Sequence, residues 1–202
     1  SLWANSTGNY NAVVGTQALM SANTGGNNTA VGYRAGYTGT AITSGTNNTF
    51  IGYGTGSTSA TRTNSTALGN GATVTADNQI VLGNTSITEI RAQVTTITAI
   101  SDRRRKQDIE ALPEGMAFIE RLKPVQYRYN NGDNTLRYGF IAQDLVAALS
   151  PELANLAESG KAGESLALVH RDSDPDRTYV AAYGELIAPT VKALQELHAQ
   201  TQ

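Results

Sequence analysis

A short motif recurs five times in the first half of the chain and restricts the possible folds more than any other feature. Each copy has three mostly apolar, often β-branched residues closed by a glycine, and the closing glycines are 17, 20, 17 and 14 residues apart. The copies lie at residues 11–15, 28–32, 48–52, 65–69 and 79–83. One such patch cannot offset the entropy of ordering the coil around it, whereas stacked copies bury each patch against the next. The repeats predict an all-β roll or β-helical stalk.

The composition of this half separates the alternatives. Gly, Ser, Thr and Asn dominate, which is typical of low-complexity disorder, but the regular motif and the very low charge favour a folded repeat. Residues 1–100 hold only five charged residues, which are Arg34, Arg62, Asp77, Glu89 and Arg91. A calcium-binding β-roll needs aspartates in every repeat, and a glycan-cleaving enzyme needs paired carboxylates. Residues 1–100, with Asp77 as their single aspartate, favour neither a calcium-binding β-roll nor a glycan-cleaving enzyme.

The whole-chain numbers exclude further classes. The chain has 202 residues, a formal net charge of -2 and no cysteine, so neither a disulfide scaffold nor a thiolate metal site is expected. A nucleic-acid partner is not expected because such domains are usually strongly basic. No apolar run reaches the roughly 18 residues of a membrane span, so no membrane insertion is expected. The two histidines, His170 and His198, are far apart in sequence, and we predict no cofactor and no metal.

The repeat motif resembles known trimeric proteins. The run Asn-Thr-Ala-Val-Gly-Tyr at residues 28–33 is similar to the head repeats of trimeric bacterial adhesins and to repeats in phage tail fibres. The resemblance covers about residues 8–84 and implies a trimeric β-roll head or stalk over residues 1–84. Residues 85–100 follow as a threonine- and isoleucine-rich run, whose spacing would also suit a helical stripe. The density of β-branched residues favours a connecting stalk of extended strands wound about the trimer axis.

The composition changes near Ser101, because all the prolines and lysines lie after it. The patterns there predict an α+β domain over residues 101–202 with long hairpins and a C-terminal helix. In order, we expect a helix over 113–122, strands at 125–129 and 136–141, a helix over 142–149, a hairpin-like pair at 166–170 and 177–180 around an acidic turn at 172–176, and a helix over 183–199. The last helix carries a one-sided apolar stripe that we interpret as subunit packing: Ile187, Val191, Leu194 and Leu197.

Ser101 and Lys106 form a candidate nucleophile and base. A serine hydroxyl becomes nucleophilic when a neighbouring base takes its proton, and a lysine serves as that base when burial or nearby positive charge lowers its pKa. The basic run 103–106 supplies such charge. From spacing alone, however, such a run usually indicates a solvated loop, and a nuclear address is a weaker alternative.

The order of motifs in the second half resembles a known domain. The chain carries Ser-Asp-Arg-Arg-Arg-Lys at 101–106, Leu-Lys-Pro-Val at 122–125, Tyr-Gly-Phe-Ile-Ala-Gln-Asp at 138–144, and a closing pattern from Tyr183 to Leu197. Together they are similar to the C-terminal intramolecular chaperone domain of phage tailspikes and tail fibres, the endosialidase-type domain of peptidase family S74. That resemblance implies trimer assembly, folding of the preceding stalk and single-turnover autoproteolysis. It puts the nucleophile on Ser101, the base on Lys106 and the cleavage junction at Ser101-Asp102.

Two positions depart from the family's pattern. Arg105 stands where an apolar residue is usual, and Asp144 replaces a commoner glutamate. The first puts efficient cleavage in doubt. The resemblance implies the distal part of a homotrimeric phage tail fibre or tailspike, located in the virion and attaching to a host receptor that is a glycan or a protein. The alternative is a bacterial or prophage-encoded trimeric surface adhesin with the same chaperone and no efficient cleavage.

Overall fold

The computed structural model describes residues 3–94, 96–160, 165–172 and 176–202, and the chain divides into two compact units. The first unit holds the chain up to Ile87 with short segments near Ser159 and Thr178. The second holds Thr88–Glu158, Leu166–His170 and Tyr179–Gln202. Most of the acidic turn expected at 172–176 lies outside the described residues, as does Thr95. No helix among the residues described is long and apolar enough to cross a membrane.

The first unit is a β-solenoid, as the repeats predicted. Its strands are β1 (Ala12–Val14), β2 (Thr29–Val31), β3 (Thr38–Gly39), β4 (Thr49–Ile51), β5 (Gly56–Ser57), β6 (Thr66–Leu68), β7 (Thr73–Val74) and β8 (Ile80–Leu82). They form two parallel sheets, ordered β1-β2-β4-β6-β8 and β3-β5-β7. Every motif copy became a strand of the larger sheet, and each pairs with the next in register, for example Ala30 with Phe50 and Phe50 with Ala67.

The interior of the solenoid has room for one side chain per strand. The middle residues Ala30, Phe50 and Ala67 are fully buried, because alternate side chains of a strand point to opposite faces. Most other members of this core are also small. The residue after each middle position lies on the outer face, and these form a row of exposed apolar side chains: Val14, Val31, Ile51, Leu68 and Leu82.

A ladder of asparagine side chains joins the coils. The Asn28 side chain donates to the backbone carbonyl of Gly45 at 2.8 Å and accepts from the backbone N–H of Asn48 at 2.9 Å. Asn11 precedes it in the same role, accepting from the backbone N–H of Asn28, and Asn48 follows, accepting from the backbone N–H of Ser65. Asn28 and Asn48 are buried, so the ladder satisfies polar backbone groups that no water reaches.

The closing glycine of the motif is required by both conformation and space. Gly32 and Gly52 have φ of 128° and 133°, which side-chain-bearing residues rarely adopt. A Cβ atom on Gly52 would lie 2.8 Å from the backbone of Gly69 in the next coil. The glycines therefore let successive coils approach at the corner after each strand.

Residues 88–94 and 96–100 contain neither a helix nor a strand, so the helical alternative is absent from the described part of this segment. The extended strands that we expected also do not form within one chain. Its aliphatic side chains are exposed, with Ile97 at 99 %. None of the residues that the structure describes covers them.

The second unit contains helices and two short hairpins. Its elements are a 3-10 turn at Arg103–Arg105, α1 (Met116–Ile119), β9 (Val125–Tyr127), β10 (Arg137–Gly139), α2 (Ala142–Ala148), α3 (Pro151–Ser159), β11 (Val169–Arg171), β12 (Tyr179–Ala181), a 3-10 turn at Tyr183–Leu186 and α4 (Ile187–Gln200). Strands β9 and β10 are antiparallel, and β11 pairs with β12. The predicted C-terminal helix is present.

Two features of this unit differ from the expectations. The strands of the first hairpin have three residues each rather than five or six, and beyond Tyr127 the Arg128 side chain donates to the carbonyl of Asn134 at 2.9 Å. The helix expected over 142–149 is confirmed as α2, but α3, which begins at Pro151, was not expected. Proline is tolerated at this first helical position.

Helix α4 packs against the rest of the second unit with one face and exposes its other face to solvent. Glu196 accepts a hydrogen bond from the backbone N–H of Met116 at 2.7 Å, and Lys192 pairs with it at 3.1 Å. The Met116 bond, then the Lys192 bond, lower the pKa of Glu196. Pro189 and Ala193 are buried. The predicted stripe is exposed along its whole length: Ile187, Val191, Leu194 and Leu197.

Replacing Asn48 with alanine is expected to destabilise the solenoid. The substitution removes the side-chain partner of two backbone groups in the following coil, the Ser65 N–H and the Arg62 carbonyl. At about 1–3 kcal/mol for each group, the free energy of unfolding should fall by about 2–6 kcal/mol. Chemical denaturation of the full chain, followed by circular dichroism, measures this loss. The matched control is Asn70→Ala, at an exposed position, which should change stability by less than about 0.5 kcal/mol. Equal losses would contradict a structural role for the ladder.

Candidate functional site

Ser101 and Lys106 meet in the structure. The Lys106 Nζ lies 2.9 Å from the Ser101 Oγ and donates a hydrogen bond to it. As an ammonium group, Lys106 can only donate, whereas as a neutral amine it can accept the hydroxyl proton. The two residues that the sequence singled out are thus close enough for proton transfer between them.

A compact turn holds this pair together. Asp102 caps the 3-10 turn, because its Oδ1 accepts from the backbone N–H of Arg104 at 2.9 Å. The Arg104 guanidinium also contacts the Asp102 carboxylate at 2.6 Å. The backbone N–H of Lys106 donates to the carbonyl of Arg103 at 3.1 Å. All these bonds are made within residues 101–106, so the Ser-Lys geometry is a local property of one chain.

The environment of the pair is open to solvent. Residues 101–106 are all exposed, so burial does not yet act on Lys106 within one chain. Arg105, the residue that departs from the family's pattern, points into solvent as well. The Asp102 pKa is lowered, first by the hydrogen bond from the Arg104 side chain and then by the bond from the Arg104 backbone. Asp102 is therefore a charged cap rather than a proton donor near neutral pH.

The other sequence motifs assemble around Tyr183. Its hydroxyl accepts from the backbone N–H of Phe140 at 3.2 Å and donates to the Phe140 carbonyl at 3.0 Å, and the two rings pack edge to face. A Cβ atom on Gly139 would lie 2.9 Å from the Tyr183 ring, which explains the glycine within Tyr-Gly-Phe-Ile. Asp144, which stands at a position where glutamate is commoner, places its carboxylate 3.4 Å from the Lys123 Nζ and forms an ion pair with it. The sequence alone did not indicate the role of Tyr183.

The described residues offer no evident metal site. No group of three or more His, Asp or Glu side chains among them could hold a metal ion. A cavity of about 500 Å³ lies among α1, α2, α3 and the start of α4, and its lining is mostly apolar, with Phe118, Leu153 and Leu168 among its walls. It belongs to the packing of the second unit and does not include Ser101 or Lys106.

Comparison with known proteins identifies one segment. The model of peptidase family S74, described as the chaperone of endosialidase, matches residues 101–154. The match begins at Ser101 and includes the Ser-Lys pair, the first hairpin and α2. The resemblance that the motifs indicated is confirmed over this segment. No curated protein and no solved structure matches the chain.

The titration of Asp102 tests how the turn is held. Its hydrogen bonds favour the charged form, so its contribution to the turn is present above its ordinary pKa of 3.8 and is lost as the pH falls through its lower folded value. Carboxyl NMR of the Ser101→Ala chain should give a midpoint below 3.8. Arg104→Ala should return the midpoint toward 3.8, while Arg103→Ala should leave it unchanged. An Asp102 midpoint that does not change in Arg104→Ala would contradict the role of the Arg104 side chain in holding the turn.

Proposed function

We propose that the chain is the distal part of a homotrimeric phage tail fibre or tailspike. In this proposal the β-solenoid serves host attachment in the virion, and residues 101–202 bring three chains together, promote folding of the stalk and then release themselves by self-cleavage. The observation that carries it is the position of the S74 match, which starts at Ser101. This residue contacts Lys106 and follows directly after the exposed residues 88–94 and 96–100.

Exposed apolar surface supports the trimer. The outer row that runs from Val14 to Leu82 and the stripe of α4 are both left in solvent by a single chain. Contiguous apolar rows of this kind are typical of interaction surfaces. Burying them stabilises an assembly by about 25 cal/mol for each Å² of apolar surface removed from water. Copies of the same chain carry matching rows, so association of like surfaces buries both.

The pairing pattern supports the chaperone role. The parallel pairing of β2 with β4 joins residues twenty positions apart, such as Thr29 and Thr49, and every other pairing in the solenoid is also between separate coils. Non-local parallel pairing is slow, and its intermediates expose strand edges that aggregate. A domain that gathers three chains keeps their exposed apolar rows together, and so away from other molecules, while this slow pairing within each chain proceeds.

The cleavage step follows from the Ser-Lys geometry. At the junction that the resemblance implies, neutral Lys106 takes the hydroxyl proton of Ser101 while the Oγ attacks the carbonyl carbon of Ser101 itself. The Ser101-Asp102 C–N bond breaks, the amine of Asp102 leaves with the proton held by Lys106, and water opens the four-membered lactone. Attack on the carbonyl of Ile100 instead forms an ordinary ester, frees the Ser101 amine with that proton, and moves the cut to Ile100-Ser101 when water hydrolyses the ester.

Lys106 is exposed in one chain, and we propose that neighbouring subunits cover it on assembly, since burial disfavours a charged ammonium group. Arg105 is exposed as well. If assembly leaves Lys106 in water, cleavage stays inefficient, which is the adhesin alternative.

Substitutions at the pair test self-cleavage. Ser101→Ala should abolish it because the nucleophile is lost, and Lys106→Ala because the base is lost. Lys106→Arg should also fail, since arginine stays protonated. Denaturing gels over time, with intact mass measurement, should show uncut chain in all three variants and normal trimers by light scattering. Arg105→Leu is the control and should cleave at least as fast as the natural sequence. Undiminished cleavage in Ser101→Ala would remove Ser101 from the mechanism.

Expression of the stalk alone tests the chaperone. Residues 1–100 without the second half should aggregate or stay unfolded, whereas the full chain with Ser101→Ala should give a soluble trimer. Size-exclusion chromatography with light scattering distinguishes these results. A stalk that has folded with its chaperone and then been released should persist because its unfolding is slow. A soluble trimer formed readily by 1–100 alone would show that the chaperone is unnecessary.

A further inference from the structure

One corner of the solenoid carries a cluster of exposed aromatic and polar side chains. The rings of Tyr33 and Tyr53, from successive coils, stack with centroids 5.5 Å apart and planes 23° apart. They remain 39 % and 63 % exposed. We define the tyrosine–arginine patch as these two residues with Gln17, Arg34 and Tyr37. It lies outside the solenoid core, so core packing does not account for it.

The guanidinium of Arg34 is fixed on this patch without being neutralised. Its Cζ lies 5.4 Å from the centre of the Tyr33 ring and 5.9 Å from that of Tyr37, within the range of a cation–π contact. Its Nε donates to the Oε1 of Gln17 at 2.7 Å. Its two terminal nitrogens have no hydrogen-bond partner among the described residues, and they form the part of the fork that a carboxylate can occupy.

Arg34 is also unusual in the charge distribution of the stalk. Within residues 3–94, which the structure describes, it is the one charged side chain without an ion pair. Arg62 lies 3.6 Å from Asp77, and Arg91 lies 2.9 Å from Glu89. A positive charge held at one place on a nearly uncharged surface creates a local site for an anion.

The backbone at this corner is strained in order to carry these side chains. Gln17 and Arg34 have φ of 60° and 57°, in the left-handed region, where glycine is favoured. The next two coils have glycine at the same position, Gly54 and Gly71, with φ of 61° and 67°. The equivalence follows from the backbone, because the N–H groups of Arg34, Gly54 and Gly71 each donate to the preceding coil at the same step. Strain kept where glycine would suit the fold indicates a functional site.

We propose that the tyrosine–arginine patch binds a saccharide that carries a carboxylate. The carboxylate accepts hydrogen bonds from the terminal nitrogens of Arg34, and the C–H face of the sugar ring packs on the exposed face of Tyr53, whose π cloud is negative. A rigid pyranose suits a rigid stacked pair of rings better than an acidic peptide, whose side chains lose more rotamer freedom on binding. The inference rests on the proposed attachment role, since it names the ligand class of that surface.

The test is titration of the full chain with two matched probes, a galacturonate trisaccharide and the neutral galactose trisaccharide. We expect saturable binding of the acidic probe, at least tenfold weaker binding of the neutral probe, and further weakening at high salt. Arg34→Gly should weaken the acidic probe at least tenfold while leaving the thermal midpoint unchanged or higher, because glycine relieves the strain. Tyr53→Ala should weaken it at least fivefold. The control Tyr10→Ala, at an 87 % exposed ring outside the patch, should bind normally.

Several outcomes would overturn this proposal. They are no saturable binding by an intact trimer, equal binding of the two saccharides, undiminished binding by Arg34→Gly, or tighter binding of a glutamate-rich peptide than of the acidic saccharide. Loss of the trimer in Tyr53→Ala would assign the patch to a subunit contact and also overturn it. Failure of the proposed function is distinguishable, because it appears in the unmodified chain as a monomer by light scattering, whatever the patch binds.

Discussion

Every coil of the solenoid depends on its neighbours for backbone hydrogen bonds. The coils are thin, and their core is formed mainly from alanine with a few larger side chains such as Leu19, Ile42 and Phe50, so burial alone cannot hold a single coil. Parallel strand pairing supplies part of the hydrogen bonding, and the ladder through Asn28 and Asn48 supplies the part that lies inside. Glycines such as Gly52 then bring the coils close enough for both. The remaining features of the stalk follow from this close stacking.

The small interior of each coil also determines which apolar side chains of a strand are buried and which are exposed. Since the interior takes only one side chain per strand, the larger aliphatic residue that ends each motif must lie on the outer face, as Val31 and Ile51 do. Close stacking places these residues in a continuous row. A stalk that satisfies its own backbone therefore keeps an exposed apolar row, which is the surface that the proposed trimer would cover.

The geometry of the Ser-Lys pair, unlike that of the solenoid, does not depend on contacts between coils. Its geometry is made by one turn, with Asp102 capping Arg104, and needs nothing from distant residues. What the turn does not supply is a dry environment, because Lys106 is exposed. In the proposed function, one chain already holds the Ser-Lys geometry, but Lys106 is removed from water only when the chains assemble. The reaction is then delayed until three chains have met. This separation offers a physical reason why a stalk would not lose its chaperone early.

The sequence by itself determined the local structure. The five motifs predicted five strands because each combines β-branched residues with a glycine. The family resemblance, rather than the spacing, singled out Ser101 and Lys106, which one short turn then brings into contact. The start of α3 at Pro151 was missed, since a proline is compatible with either end of a helix. Only the tertiary structure decided which side chains meet between coils: Asn28 with Asn48, and Tyr33 with Tyr53. Those contacts depend on the rise and register of successive coils, which are set by packing of the whole stack rather than by any one stretch of chain.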